Sequence, residues 1–192
     1  GWTYAQGGHY FVGFTLPTTT IVYDVTTQLW HERRSHYTDT DTSIVETTYR
    51  VTDFVSAYGK IYAGDALDGR VGVVSKSAYT EYTENPYYRF STQPFQDNMK
   101  PFFVSYMELT VESGIGNLAE SEPQMRMEIS RDGGKTWTYE RSRSMGAIGE
   151  YNKRVIWRRL GRSARFDVYR FTTSAPVKVA ILALTADITV AA

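Results

Sequence analysis

The residue types able to do chemistry in this chain fall into a few groups. Tyrosine, glutamate, aspartate and arginine together can cleave a glycosidic bond: a carboxylate-backed tyrosine attacks, an aspartate moves the proton, and arginines hold a substrate carboxylate. With 15 tyrosines and 21 Lys+Arg against 21 Asp+Glu, composition admits that reaction without placing it. His9, His31 and His36 could serve as bases, yet none lies in a Gly-x-Ser-x-Gly elbow, so they read as surface or half-buried histidines. The acidic stretches "TDTDTS" (38–43) and "GDALDGR" (64–70) offer hard oxygen ligands, but neither carries the twelve-residue EF-hand pattern. We therefore expect no catalytic residue, no metal and no cofactor. The densest charge is "KRVIWRRLGRSAR", with Lys153, Arg154, Arg158, Arg159, Arg162 and Arg165. On a strand, Arg154 and Arg158 would share one face and Lys153 and Arg159 the other, with Arg162 and Arg165 at the following turn. Such a split does not make a continuous phosphate-binding stripe, and there is no Gly-rich phosphate loop. Arginine also fits carboxylates through paired hydrogen bonds, so these residues read as a protein interface.

These groups need elements to position them, and "SRDGGKTW" (130–137) is the sharpest local signal. Before it, "MRMEIS" puts Met125, Met127 and Ile129 on one face and Arg126 and Glu128 on the other, the period of a half-buried strand. Asp132, Gly133 and Gly134 then supply the positive backbone angles of a tight hairpin, and "TWTYERS" leads back with Trp137 lying across the turn. Asp132 can bond backbone groups on its own turn, and Ser130, Asp132, Gly133, Gly134 and Trp137 together read as a structural hairpin. The spacing resembles the Asp boxes of sialidases, where such boxes sit at blade turns away from the catalytic centre. The likeness therefore transfers no catalytic residue. It leaves a glycan-binding or sialidase-like carbohydrate-active module as the alternative function.

Charge and composition narrow the class. The chain has 192 residues, 42% of them hydrophobic, and no cysteine, so disulfides and thiolate metal sites are excluded. No apolar run approaches the roughly 20 residues of a membrane helix, and we expect no membrane partner. Thr, Val and Tyr are abundant, which favours strands. Net charge is zero, but residues 1–122 hold 8 basic and 15 acidic residues, and residues 123–192 hold 13 and 6. Copies meeting basic part to acidic part would use that asymmetry.

No long segment shows a 3.6-residue period, so the chain reads as all-β. Residues 1–75 form antiparallel propeller-blade-like meanders. The runs His9 to Leu16 and Ile21 to Val25 and a third ending at Trp30 make the first, and Arg50 to Ser75 echoes it as three short strands separated by "YGK" and "GDALDG". "VYDVTTQLW" is similar to kelch-type blades, where the polar residues tie down a turn and the aromatic packs between blades. Residues 76–101, with Pro86, Pro94 and Pro101, read as an irregular connection holding at most an edge strand. Residues 102–192 read as a β-sandwich-like part containing the Asp-box hairpin. In it "FFVSYMELTVE" would put Phe103, Ser105, Met107, Leu109 and Val111 on one face, and the apolar "VKVAILALTADITV" would be a buried central strand.

The run Ser130 to Ile188, "SRDGGKTWTYERSRSMGAIGEYNKRVIWRRLGRSARFDVYRFTTSAPVKVAILALTADI", with "VYDVTTQLWHERRS" and "YGKIYAGD" upstream, resembles the C-terminal part of the packaged-DNA stabilisation proteins. These are tail accessory factors of short-tailed phages, and the likeness extends over nearly the whole chain in the same segment order. It implies a C-terminal piece of a longer protein, in keeping with a start at Gly1-Trp2. It implies a non-enzymatic virion component that self-associates as a ring, closes the portal channel after packaging and stabilises the packaged DNA. The implied partners are other tail and portal-adaptor proteins, the tail needle and the tailspike, with no specific nucleic-acid sequence. The location would be the phage tail in the virion, and the host cytoplasm during assembly.

Overall fold

Strand-forming residues alternating between wet and dry faces can satisfy their backbone only by pairing, and pairing organises everything observed. The computed structural model describes residues 1–39, 43–96, 100–163 and 166–190, as strands, turns and bends without a helix. None of the described residues forms a helix long and apolar enough to cross a membrane. The fold is all-β, its named strand pairs are antiparallel, and it divides into two compact units, Gly1–Pro86 and Tyr87–Ala192.

In the first unit, β1 (Trp2–Gln6), β2 (His9–Thr15), β3 (Thr20–Asp24), β4 (Leu29–Thr38) and β5 (Ile44–Thr48) pair in consecutive order as a five-stranded meander. A second meander follows from β6 (Val51–Ala57), β7 (Lys60–Asp65) and β8 (Val71–Val73). The expected runs are present. The third, however, continues past Trp30 to Thr38, through the polar "HERRSHY". Charge sustains it, since Arg34 sits 2.7 Å from Glu32 of the same strand and 2.6 Å from Glu46 across on β5. Trp30 is 60% exposed and leans on Tyr23 at 4.8 Å instead of packing between layers.

One face of the five-stranded sheet gathers aromatic rings. Trp2 is buried against Tyr49 and Phe54, Tyr4 stacks on Phe11 and Phe54, and the Arg33 guanidinium lies 5.0–5.6 Å from the ring centres of Trp2, Tyr4, Phe11 and Tyr49. A Cβ at residue 13 would lie 2.2 Å from the Trp2 ring, so Gly13 is what lets the indole cross the sheet.

The turns are organised by buried aspartates. At the end of β3, Asp24 accepts the Thr26 N–H (3.0 Å) and the Thr27 hydroxyl (2.8 Å), and pairs with His9 at 2.7 Å. Burial pulls its carboxyl up, but the hydrogen bonds of His9, Thr27 and Thr26 outweigh that and bring it to about 2. At the end of β7, Asp65 accepts the Leu67 N–H at 3.0 Å and a two-pronged bond from Arg50. Arg50 comes first in lowering the Asp65 carboxyl to about 2. The pair is almost fully buried, and the Tyr82 ring covers it 4.8 Å from the Arg50 guanidinium.

The second unit contains β9 (Tyr88–Ser91), β10 (Phe102–Val111), β11 (Gln124–Ser130), β12 (Arg141–Ser144), β13 (Val155–Ser163), β14 (Val168–Thr173) and β15 (Ile181–Val190). One sheet runs β13-β10-β15 and the other β12-β11-β14-β9. Their facing sides share one core: Phe102, Val104, Met107 and Leu109 of β10 and Val155, Trp157 and Leu160 of β13 with Met125, Met127 and Ile129 of β11 and Tyr169 and Phe171 of β14. Trp157 is wholly buried, and its indole N–H donates to the Arg141 carbonyl at 2.7 Å, so no polar atom of the ring is stranded.

Two expectations fail here. A bulge between Val104 and Tyr106 shifts the alternation of β10, so Phe102 and Val104 point inward and Phe103 outward, 45% exposed. The apolar run is not central. Among the described residues β15 pairs with β10 alone, which takes the middle of the sheet, and Leu182 is 71% exposed.

Replacing Arg50 by Met should destabilise the first unit by about 3–5 kcal/mol, since Asp65 is left buried without its partner. Denaturant-dependent hydrogen exchange of peptides from residues 1–86 measures this. The lowered carboxyls of Asp24 and Asp65 contribute stability that is complete above the ordinary carboxylate value of about 3.9 and is lost as pH falls through about 2. Asp24→Asn should flatten the fall of stability over that range in an acid titration of unfolding.

Candidate functional site

The Asp box closes the connection between β11 and β12. The Ser130 hydroxyl, fully buried, donates to Asp132 Oδ1 at 2.6 Å and accepts the Gly134 N–H at 2.7 Å. Asp132 also accepts the N–H groups of Lys135 and Thr136, both at 2.9 Å, and the Thr136 hydroxyl at 2.6 Å. These bonds, that of Ser130 first, lower its carboxyl far below the usual range. Gly133 and Gly134 adopt φ of 76° and 100°. The connection spans residues 131–140, so it is a loop tied by side chains and not a two-residue turn. Trp137 stacks on the Arg170 guanidinium at 3.8 Å, and Arg170 in turn holds Glu128 at 2.8 and 2.9 Å.

Arg131, a variable position of the box, is the residue that sequence reasoning missed. Its guanidinium binds the buried Asp167 and donates to the Leu160 carbonyl of β13. Arg143 donates to the Ile156 carbonyl at 2.9 Å and Arg141 to the Arg158 carbonyl at 2.7 Å. Three arginines thus occupy three carbonyls of β13. Nothing in their spacing marks them, because the partner strand comes from elsewhere in the chain.

The exposed side of the three-stranded sheet carries the basic segment. Arg158 is opposite Tyr106, and Arg162 is opposite Phe103. Arg162 lies within β13 and not in the turn after it, because the strand passes a bulge at Arg159, whose φ is 58°, and runs on to Ser163. Arg154 pairs with Glu108 across the same face at 2.5 and 2.7 Å. Arg158 faces the Tyr106 ring at 6.0 Å, and Arg159 and Arg162 have no ion-pair partner among the described residues. Arg165 lies outside the described residues. The result is a basic face with aromatic side chains, able to receive carboxylates.

The other candidates are engaged within their own units. His31 accepts from Arg33 Nε at 3.1 Å, and burial lowers its pKa. His36 lies 3.5 Å from Glu46. Asp65 and Asp68 are both in reach of Arg50 and Arg70. Among the described residues no group of three His, Asp or Glu is placed to hold a metal ion.

Ser130→Ala should cost the second unit about 1–3 kcal/mol, because the Gly134 N–H loses a buried acceptor. Gly133→Val should cost a similar amount through a β-branched residue at positive φ. Unchanged melting in both would remove the box from the account of stability.

Residues 87–189, nearly the whole second unit, match the family described as "Bacteriophage P22 Gp10, beta-sandwich", which agrees with the two facing sheets observed. Over 168 residues the chain is 26% identical to the tail hub protein gp10 of Salmonella phage P22, covering 84% of this chain and 33% of that protein. The chain therefore spans about a third of the length of the curated relative it matches. With more than half of its residues inside the match, the chain belongs to the family of the bacteriophage P22 Gp10 β-sandwich.

Proposed function

We propose that this chain is part of a structural, non-enzymatic protein of a phage tail, acting in the virion through protein contacts. The family match and the relative's name, tail hub protein, support that setting. The observation that carries the reading is the division of labour in the second unit. The Asp-box carboxylate is saturated by its own turn, whereas Arg158 and Arg162 stand on an open sheet face with Arg159 exposed at the bulge between them. Exposed arginine beside aromatic side chains is the composition of a protein interface. An acidic surface on a neighbouring copy or on another tail protein is the complementary partner, in keeping with the acidic excess of residues 1–122.

In this reading the protein self-associates as a ring, closes the portal channel after the genome is packaged and stabilises the packaged DNA. It contacts portal-adaptor proteins, the tail needle and the tailspike, and it assembles in the host cytoplasm. A channel that must release DNA gains little from gripping phosphates, so DNA binding is weak and independent of sequence. The sialidase-like alternative has less support, since Asp132 serves its turn.

Particles made without the protein should package DNA and then leak it; stable infectious particles would refute the role. In the intact protein, Arg158→Glu with Arg162→Glu should impair assembly onto portal complexes with little change in DNA retention on a filter at fixed salt. Normal assembly with lost DNA retention would reassign these arginines to DNA. Turnover of a fluorogenic sialoside would favour the alternative.

A further inference from the structure

Residues 81–84 make a tight hairpin of their own. The Glu81 N–H donates to the Glu84 carbonyl and the Glu84 N–H to the Glu81 carbonyl, both at 2.9 Å. The two tip residues, Tyr82 and Thr83, adopt φ of 47° and 84°. Neither is glycine, and a β-branched residue in that region is strained, so contacts around the turn have to hold it shut. They do so on two sides. Glu81 accepts the Ser35 hydroxyl of β4 at 2.9 Å, and the Tyr82 hydroxyl donates to the Ala63 carbonyl of β7 at 2.8 Å. The Tyr82 ring also lies against Gly72 of β8, where a Cβ would come within 2.9 Å of it, and Arg70 donates to the Tyr82 carbonyl at 2.8 Å. The hairpin thus clasps both meanders of the first unit. It does so at the buried Arg50–Asp65 pair, with the Tyr82 ring over Arg50 and the Ser35 hydroxyl accepting the Arg50 N–H at 3.0 Å.

We propose that this hairpin is a pH-sensitive strap, seated while Glu81 is protonated and loosened once Glu81 ionises. The half-buried Glu81 carboxyl rests on a neutral hydroxyl and has no ion-pair partner among the described residues. Charge reaches it from each neighbouring element. Arg33 of β4 and Arg50 favour its ionised form, Asp65 of β7 opposes it, and Glu84 stands across the hairpin. Tyr49 and Tyr82 stay neutral beside it, their hydroxyls held up by burial. Burial comes first for Glu81 and, with Asp65, pushes its carboxyl up against the pull of Ser35, Arg50 and Arg33. A carboxyl raised in the seated state holds its proton more tightly there than in the loosened one. Seating is therefore at full strength in acid and weakens as pH rises from the ordinary glutamate value of about 4.3 through the raised one. Asp24 and Asp65 run the other way, since their contribution is lost in acid. Because Pro86 ends the first unit, a loosened strap also frees the chain that leads out of it. The strap does not rest on the tail assignment.

Hydrogen exchange of the intact chain, corrected at each pH for the intrinsic rate, reads the seating. Protection of peptides covering residues 79–86 should fall severalfold between about pH 4 and about pH 8. Glu81→Gln, neutral throughout and close in shape, should keep that protection high and flat. Gly72→Val, which drives a side chain into the Tyr82 ring, should remove it at both ends of the range. Peptides from β2 and β3 should show no such fall in any of the three chains, and circular dichroism checks that both variants keep the fold. Flat protection in the unmodified chain, a fall that survives in Glu81→Gln, protection indifferent to Gly72→Val, or a fall shared equally by β2 and β3 would overturn the inference.

Discussion

An all-β chain must dispose of its sheet edges, and the sandwich of residues 87–190 depends on how one of them is closed. Arg131, Arg141 and Arg143 approach β13 from the facing sheet and its connection, and donate to successive carbonyls. The same bonds join the two layers on that side, next to Trp157, whose indole returns a bond to the Arg141 carbonyl. Polar closure and apolar packing therefore meet at one place. Trp157 packs edge-on to Phe171 at 5.4 Å, and the methionines of β11 share the core around them. Aromatic burial of this kind supplies a large part of such a core.

Buried or bonded aspartates carry the second structural theme. Asp24, Asp65 and Asp132 each sit at the end of a strand or just beyond it and accept backbone N–H groups of the following turn. A carboxylate committed in this way has its lone pairs filled and its charge stabilised, so it is poorly placed to act as a base or a ligand. That is why the carboxylates of "GDALDGR" and "SRDGGKTW" resolve into turn chemistry, while residues 40–42 of "TDTDTS" lie outside the described residues. The arginines divide in the same manner. Arg50, Arg131 and Arg170 are bound inside their units, whereas Arg159 and Arg162 face outward.

Much of this was legible in the residues themselves. Alternation in "MRMEIS", the turn residues of "GDALDGR" and "RDGG", and the lack of any 3.6-residue period determine an all-β chain with antiparallel meanders, because side-chain alternation and positive-φ turns are local properties. The bonds of Asp132 to its own turn follow from local spacing as well, since their partners lie within the motif, whereas the part of the Ser130 hydroxyl came only from the structure.

Only the tertiary structure decided which strand is central and which face is wet. β15 is the most apolar run, yet it lies at an edge, because strand order depends on pairing between residues far apart in sequence. The bulge beside Ser105 resets the alternation that a period-two reading carries forward, which turns Phe103 outward, and β13 runs on past Arg159 so that Arg162 stays on the strand, on the face of Arg158. Arg131 acquires its role only when Asp167 and Leu160 arrive beside it, 36 and 29 residues away in sequence. Local chemistry determines turns and strands; the sides of a sheet, and the residues that guard them, exist only after distant segments have met.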